Sequence, residues 1–288
     1  MELWYTEKQT PALGLSLKVK ETLLHRRTAY QEIAVLDTLQ CGRMLVLDGM
    51  VQTSVADEFF YHEMITHVPL RTHPAPCSVL VIGGGDGGVV REISRYPQVE
   101  KITLVEIDAG VVEAARRYLP EISYALDDPR LEIVYQDGRE YIFAQKDAFD
   151  VVIVDSTEPV AIAEGLFGTP FYQGVFHALK EGGVLVAQTE SPLYNRDLLR
   201  ATFQRISAIF PRTFLYLCPV PTYPSGLWSF TLATKIHSPL EPAGDYLPAG
   251  LRYYSPEIHC GSFALPPFVR EMLEMGIGLE HHNLLSEK

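Results

Sequence analysis

Acidic and glycine residues set just beyond short apolar runs carry the chemical signal of this chain. The run at 79–82 leads into Gly83-Gly84-Gly85-Asp86-Gly87-Gly88 and that at 102–105 into Glu106-Ile107-Asp108; the run at 131–135 is followed by Asp137-Gly138, and that at 151–154 by Asp155-Ser156-Thr157-Glu158. Open α/β sheets bind ligands beyond the carboxyl ends of their strands. Four acidic strand ends therefore describe a cleft for a ligand rich in hydroxyls and positive charge. Gly83, Gly85 and Gly88 also satisfy G-x-G-x-x-G, with Glu106 at a distance suited to a ribose diol, which is the pattern of a dinucleotide site. Asp86 opposes that reading, because a carboxylate inside the loop would face the pyrophosphate that a helix N-terminus cradles. A nucleoside without phosphates fits better, Glu106 holding its ribose and Asp137 lying near its adenine amine.

An adenosyl-sulfonium compound meets those requirements. S-adenosylmethionine carries an α-carboxylate that Asp86 and Asp155 would repel, whereas its decarboxylated form presents only an ammonium and a sulfonium. Electrostatics thus favours aminopropyl transfer over methyl transfer. His62 and His67 lie five apart, which is not the i, i+4 spacing that sets two ligands on one helical face, so no metal is expected.

The elements that must position these groups follow from the apolar pattern. Short apolar runs at 79–82, 102–105, 131–135, 151–154 and 184–187 alternate with amphipathic stretches, the signature of βαβ units. The expected fold class is α/β: a Rossmann-like, doubly wound, mainly parallel sheet over 66–288, preceded by a small antiparallel β domain over 1–65. The β domain is read from alternating segments such as Gly14-Leu15-Ser16-Leu17-Lys18-Val19 and from Met44-Leu45-Val46-Leu47 before the turn signal Asp48-Gly49. A helix over 57–66 is expected to stop at the Pro- and His-rich segment 68–76. Residues 214–217 and 228–233 are expected to add closing antiparallel strands, and 267–275 a C-terminal helix.

Composition narrows the partners. The 288 residues are 47% hydrophobic and carry a formal charge of −12, which repels nucleic acid and anionic membrane surfaces and suits a small polycation. Cys41, Cys77, Cys218 and Cys260 form no CxxC pair, and no segment is apolar enough over a sufficient length to span a bilayer; a cytoplasmic protein is expected. A β domain this small has edges to cover, which leads to the expectation of a homodimer or homotetramer.

Several longer motifs join these signals: Trp4-Tyr5-Thr6-Glu7, Leu45-Val46-Leu47-Asp48-Gly49-Met50-Val51-Gln52, Asp57-Glu58-Phe59-Phe60-Tyr61-His62-Glu63-Met64, the glycine-rich loop, Asp155-Ser156-Thr157-Glu158-Pro159, Ala187-Gln188-Thr189 and Pro221-Thr222-Tyr223-Pro224-Ser225-Gly226. Together they resemble the polyamine aminopropyltransferases, in particular the bacterial spermidine synthases. The resemblance implies transfer of the aminopropyl group of decarboxylated S-adenosylmethionine, a co-substrate, to a diamine such as putrescine, with no prosthetic group. It implies that Gln31, Gly83, Gly85, Asp86, Glu106, Asp137 and Gly138 hold the donor. Asp155 would accept the proton, with Tyr61 beside it. His62, Gln52, Ser156, Glu158, Gln188, Glu190, Tyr223 and Glu7 would surround the aminopropyl chain or the acceptor amine. The chain departs from the family pattern at Glu158-Pro159, where Asp-Pro is usual, and at Ala161-Ile162, where Gly-Pro is usual. Other acceptor amines, a diamine methyltransferase and a noncatalytic polyamine binder are the competing readings.

Overall fold

In the computed structural model, residues 2–156, 166, 168–243 and 246–274 are described. The N-terminal part is a five-stranded antiparallel sheet in chain order, β1 (Leu3–Thr10), β2 (Leu13–Arg27), β3 (Glu32–Thr38), β4 (Gly42–Leu47) and β5 (Met50–Ser54). Asp48 and Gly49, with φ of 46° and 84°, form the tight turn between β4 and β5; a two-residue hairpin with both φ positive matches the twist of the strands it joins. Alternation then sends side chains to two faces. Leu36, Met44 and Val46 gather on one face with Val19 and Val51. Ile33, Val35, Leu45 and Leu47 pack on the other against Val111, Ala114, Leu119 and Ile122, joining this sheet to the rest of the chain.

The second sheet has seven strands: β6 (Ser78–Gly83), β7 (Lys101–Glu106), β8 (Leu131–Tyr135), β9 (Phe149–Asp155), β10 (Leu179–Gln188), β11 (Arg212–Pro219) and β12 (Leu227–Thr234), in the spatial order β11-β12-β10-β9-β6-β7-β8. Pairing is parallel from β8 through β10, and β12 runs antiparallel to both β10 and β11, as the closing strands were expected to do. Val79 and Val81 face one core layer while Leu80 and Ile82 face the other, so a continuous apolar run is what a strand covered on both sides requires. The layers are completed by α1 (Glu58–Thr72), α2 (Gly88–Ser94), α3 (Ala109–Tyr118), α4 (Pro120–Ser123), α5 (Gly138–Phe143), α6 (Thr169–Ala178), α7 (Arg196–Ser207), α8 (Pro256–Ser262) and α9 (Pro267–Glu274). Between β6 and β9 the strand order reverses, and a crevice opens there at the carboxyl ends.

One expected boundary is corrected. Helix α1 does not stop near Thr66 but continues through Pro69 to Thr72, so a division of the chain between 65 and 66 would cut the helix. A proline inside a helix costs about 3 kcal/mol. Burial outweighs it: Met64, Ile65, Val68 and Leu70 are all within the core, each contributing about 1.5–3 kcal/mol. The Thr72 hydroxyl donates to the Val68 carbonyl at 2.8 Å and the Tyr216 hydroxyl to that of Met64 at 3.0 Å, so two carbonyls of this helix take side-chain donors. Among the described residues no helix is long and apolar enough to cross a membrane.

Candidate active site

The close approach of β6 to β9 creates the site. Gly83 ends β6 at φ 81°, and a Cβ there would lie 2.1 Å from the Asp155 carbonyl oxygen, so only glycine lets the loop start so near the end of β9. Farther along, Gly88 lies against the His62 ring, where a Cβ would come within 2.2 Å. A cleft open to solvent results between the two sheets. Glu7, Gln31 and Gln52 line it from the N-terminal sheet and its turns, Tyr61 and His62 from α1, and Gly83, Gly85 and Asp86 from the glycine loop. Glu106, Asp137, Gly138, Asp155, Ser156, Gln188 and Tyr223 line it from beyond the other strands.

At the centre of the cleft, the Tyr61 hydroxyl donates to Asp155 Oδ1 at 2.7 Å. Burial raises the Asp155 carboxyl to about 6; the charge of Asp86 adds to the rise, while His62 and Tyr61 pull the other way. Asp86 itself accepts the Gly88 N–H at 2.8 Å and lies 3.3 Å from His62 Nε2. Burial works against its charge, yet His62 holds its carboxyl below the ordinary aspartate range. Two neighbouring carboxyl groups are thus pushed apart, one firmly ionised and one poised to take a proton at neutral pH. His62 Nδ1 lies 2.6 Å from Glu58 Oε2, so both ring nitrogens face carboxylates, which only accept. Burial alone would lower the imidazole, but Asp86 and Glu58 lift it to about 10, making it a standing cation.

One end of the cleft suits a nucleoside. Glu106, buried at the end of β7, is raised to about 7 by burial and by the charge of Asp108, although the Asp108 N–H donates to its Oε1 at 2.9 Å. Asp108 caps α3 through Gly110 N–H and receives Thr28 Oγ1 at 2.7 Å and Gln31 Nε2 at 3.0 Å, which ties the β2–β3 turn to this end. Asp137 caps α5 and is held by Arg139, whose side chain keeps its carboxyl low. Ile82, Val105, Val111 and Leu166 supply apolar walls.

The opposite end is polar and aromatic. Gln188 donates to the Ser156 carbonyl at 3.0 Å, and the Tyr223 hydroxyl donates to that of Gln52 at 2.7 Å. Glu7 Oε2 accepts the Val51 N–H at 2.8 Å, so this carboxylate is fixed and buried despite its place near the start of the chain. Ser156 and Trp228 also line the cleft, and Ser156 Oγ and Trp228 Nε1 are buried without a hydrogen bond among the described residues. Five carboxylates line the cleft, and among its described lining residues His62 is the one basic side chain.

Among the described residues, one expected residue is not brought to this wall. Glu190 is fully buried behind it, its backbone N–H donating to Gln188 Oε1 at 3.1 Å. Glu158 lies outside the described residues, as do Pro159 and the Ala161-Ile162 departure. Sequence reading missed Trp228, Tyr30 and Met50, apolar or aromatic positions with no chemical signature, and the support of His62 by Glu58. The Glu58–His62 spacing of i, i+4 was the available signal for that support.

Comparison with known proteins agrees in sequence and in fold. Residues 58–240 match the model of the spermine/spermidine synthase domain, and residues 3–54 that of the spermidine synthase tetramerisation domain. A polyamine aminopropyltransferase of Caldicellulosiruptor saccharolyticus is 56% identical over 275 residues, 95% of this chain and 99% of the relative. Another from Moorella thermoacetica is 56% identical over 273 residues, 94% and 96% of the two chains. A spermidine synthase solved in complex with the transition-state analogue AdoDATO superposes with a TM-score of 0.92 at 44% identity, covering 94% of each chain. The spermidine synthase of Thermotoga maritima gives 0.89 at 42% identity with the same coverage.

Proposed function

The chain belongs to the spermine/spermidine synthase family and is an aminopropyltransferase, and from that premise we propose that it transfers the aminopropyl group of decarboxylated S-adenosylmethionine to putrescine, with Asp155 as proton acceptor. The products are spermidine and 5′-methylthioadenosine. The observation that carries this reading is the pairing of a raised Asp155 with an ionised Asp86 in a cleft lined by carboxylates.

An alkyl ammonium has a pKa of about 10, so the acceptor arrives protonated and cannot attack carbon. Asp155 takes one proton from the nitrogen facing the donor. Burial of Asp155 helps, because each unit by which its pKa approaches that of the amine lowers the cost of transfer by about 1.4 kcal/mol. The freed lone pair then displaces methylthioadenosine from the aminopropyl carbon next to sulfur: a C–N bond forms, the C–S bond breaks, and the sulfonium becomes a neutral thioether. Glu106 and Gln31 hold the ribose end, Asp137 and Gly138 the base, and Gly83 and Gly85 give the nucleoside close approach to the backbone. Asp86 receives the terminal ammonium of the donor, while Tyr61, Gln52, Ser156, Gln188, Tyr223 and Glu7 line the acceptor side. Holding nucleophile and carbon in line supplies several kcal/mol of the barrier.

The same proposal takes residues 3–54 as a unit through which copies of the chain associate, supported by their match to a tetramerisation domain. The four free cysteines fit a reducing, cytoplasmic setting. Incubating the purified chain with decarboxylated S-adenosylmethionine and a panel of amines, and weighing the products, tests the proposal. Spermidine and methylthioadenosine in equal amounts are expected. A product from agmatine or cadaverine in preference to putrescine would overturn the acceptor assignment, and methylated amine with adenosylhomocysteine in a parallel incubation with S-adenosylmethionine would overturn the reaction.

A further inference from the structure

Behind the cleft wall, a line of buried charges runs from α2 to the glycine loop. Arg91 grips both oxygens of Glu58, Nη1 to Oε1 at 2.9 Å and Nη2 to Oε2 at 2.7 Å. Glu58 Oε2 in turn takes His62 Nδ1 at 2.6 Å, and His62 Nε2 faces Asp86 Oδ2 at 3.3 Å. None of these four side chains is more than 10% exposed. Neither Glu58 nor Arg91 lines the cleft, so whatever they do for a ligand they do through His62.

We propose that Glu58 and Arg91 are positioning residues for the donor's aminopropyl end: they hold the His62 ring so that Nε2 pins Asp86 Oδ2, and so fix the carboxylate that receives the terminal ammonium. The inference rests on the role proposed above for Asp86. Asp86 Oδ1 is held separately by the Gly88 N–H, so with both contacts made the carboxylate has one orientation. Arg91 also donates Nε to Glu92 at 2.9 Å, and Glu92 is bound by His67 and Arg95, which anchors the chain of charges at its far end. The charged and titratable groups around His62 are Glu58 on its own helix, Asp86 in the loop, Asp155 at the end of β9 and the Tyr61 ring, edge-on at 5.6 Å. Three of these are carboxyl groups, and Asp86 and Glu58 keep the ring cationic. Replacing Glu58 by Gln removes the anion and leaves one amide oxygen for Arg91 and His62 Nδ1 to compete for, so the ring is held less firmly and its grip on Asp86 weakens.

The donor and methylthioadenosine separate this role from a merely structural one, since the second lacks the ammonium. In Glu58→Gln the KM for decarboxylated S-adenosylmethionine should rise roughly 10–100-fold while the Kd for methylthioadenosine stays within about twofold, the range expected of an outer-layer partner. The His62 ring, followed by NMR, should lose its proton at lower pH than in the unaltered chain. Arg91→Lys, which keeps the charge but not the two-pronged grip, should give a smaller change of the same kind, and it serves should Glu58→Gln fail to fold. Equal weakening of donor and methylthioadenosine overturns the positioning role, as does a His62 titration that the substitutions leave unmoved. Absence of aminopropyl transfer by the unaltered chain overturns instead the donor reading on which the role depends, and the NMR titration is read without turnover.

Discussion

Asp155 concentrates the chemistry of the site, and its surroundings make its behaviour specific. It is raised to about 6 by burial and by Asp86, with the Tyr61 hydroxyl at 2.7 Å and the His62 cation opposing the rise. Asp155→Asn removes the proton acceptor at nearly constant shape, so kcat should fall by roughly 10²–10⁴ while methylthioadenosine binding persists. Rapid-quench or steady-state assay, with calorimetry on the product nucleoside, checks both halves. The pH profile follows from the sign of the shift: kcat/KM needs Asp155 ionised, so it should rise with pH through about 6 in the free enzyme. Tyr61→Phe removes a donor that favours the carboxylate, so that limb should move to higher pH; a limb that stays in place would separate Tyr61 from Asp155. Most of these residues were legible because an acidic residue beyond an apolar run is a local signal. Glu190 does not line the cleft: its φ of 69° turns the chain and its Oε1 faces Gln188 Nε2 at 3.4 Å, a placement that the strand-end position does not reveal.

At the scale of elements, strands were easier to read than helix ends. Buried parallel strands declare themselves as unbroken apolar runs, and the observed β6, β7, β9 and β10 contain the runs expected of them. The end of α1 was not legible, because Pro69 is a local stop signal and the burial that overrides it is a property of the assembled core. The link from Arg91 to Glu58 was equally hidden: it joins two helices 33 positions apart in sequence, which no local pattern records. Gly83 is where element geometry and chemistry meet. Gly83→Ala places a Cβ in a left-handed backbone position and 2.1 Å from the Asp155 carbonyl. A loss of about 2 kcal/mol or more is expected, read as a lower denaturation midpoint, together with lost turnover as β6 and β9 separate. A Gly83→Ala chain of unchanged stability would contradict the packing of the two strand ends.

Across the whole molecule, charge is distributed to a purpose that neither sheet serves alone. The N-terminal sheet brings Glu7, Gln31 and Gln52 to the rim of the larger sheet, which supplies Asp86, Glu106, Asp137 and Asp155. The chain's formal charge of −12 adds a long-range field of the same sign. Such a field draws in cations and disfavours a donor that still carries a carboxylate, by an amount that like charges about 4 Å apart set at about 4 kcal/mol near a protein surface. The most direct measurement is therefore calorimetric binding of decarboxylated S-adenosylmethionine and of S-adenosylmethionine to the same protein at neutral pH. The account predicts that the decarboxylated compound binds at least about 100-fold more tightly. Equal affinity for the two would contradict it.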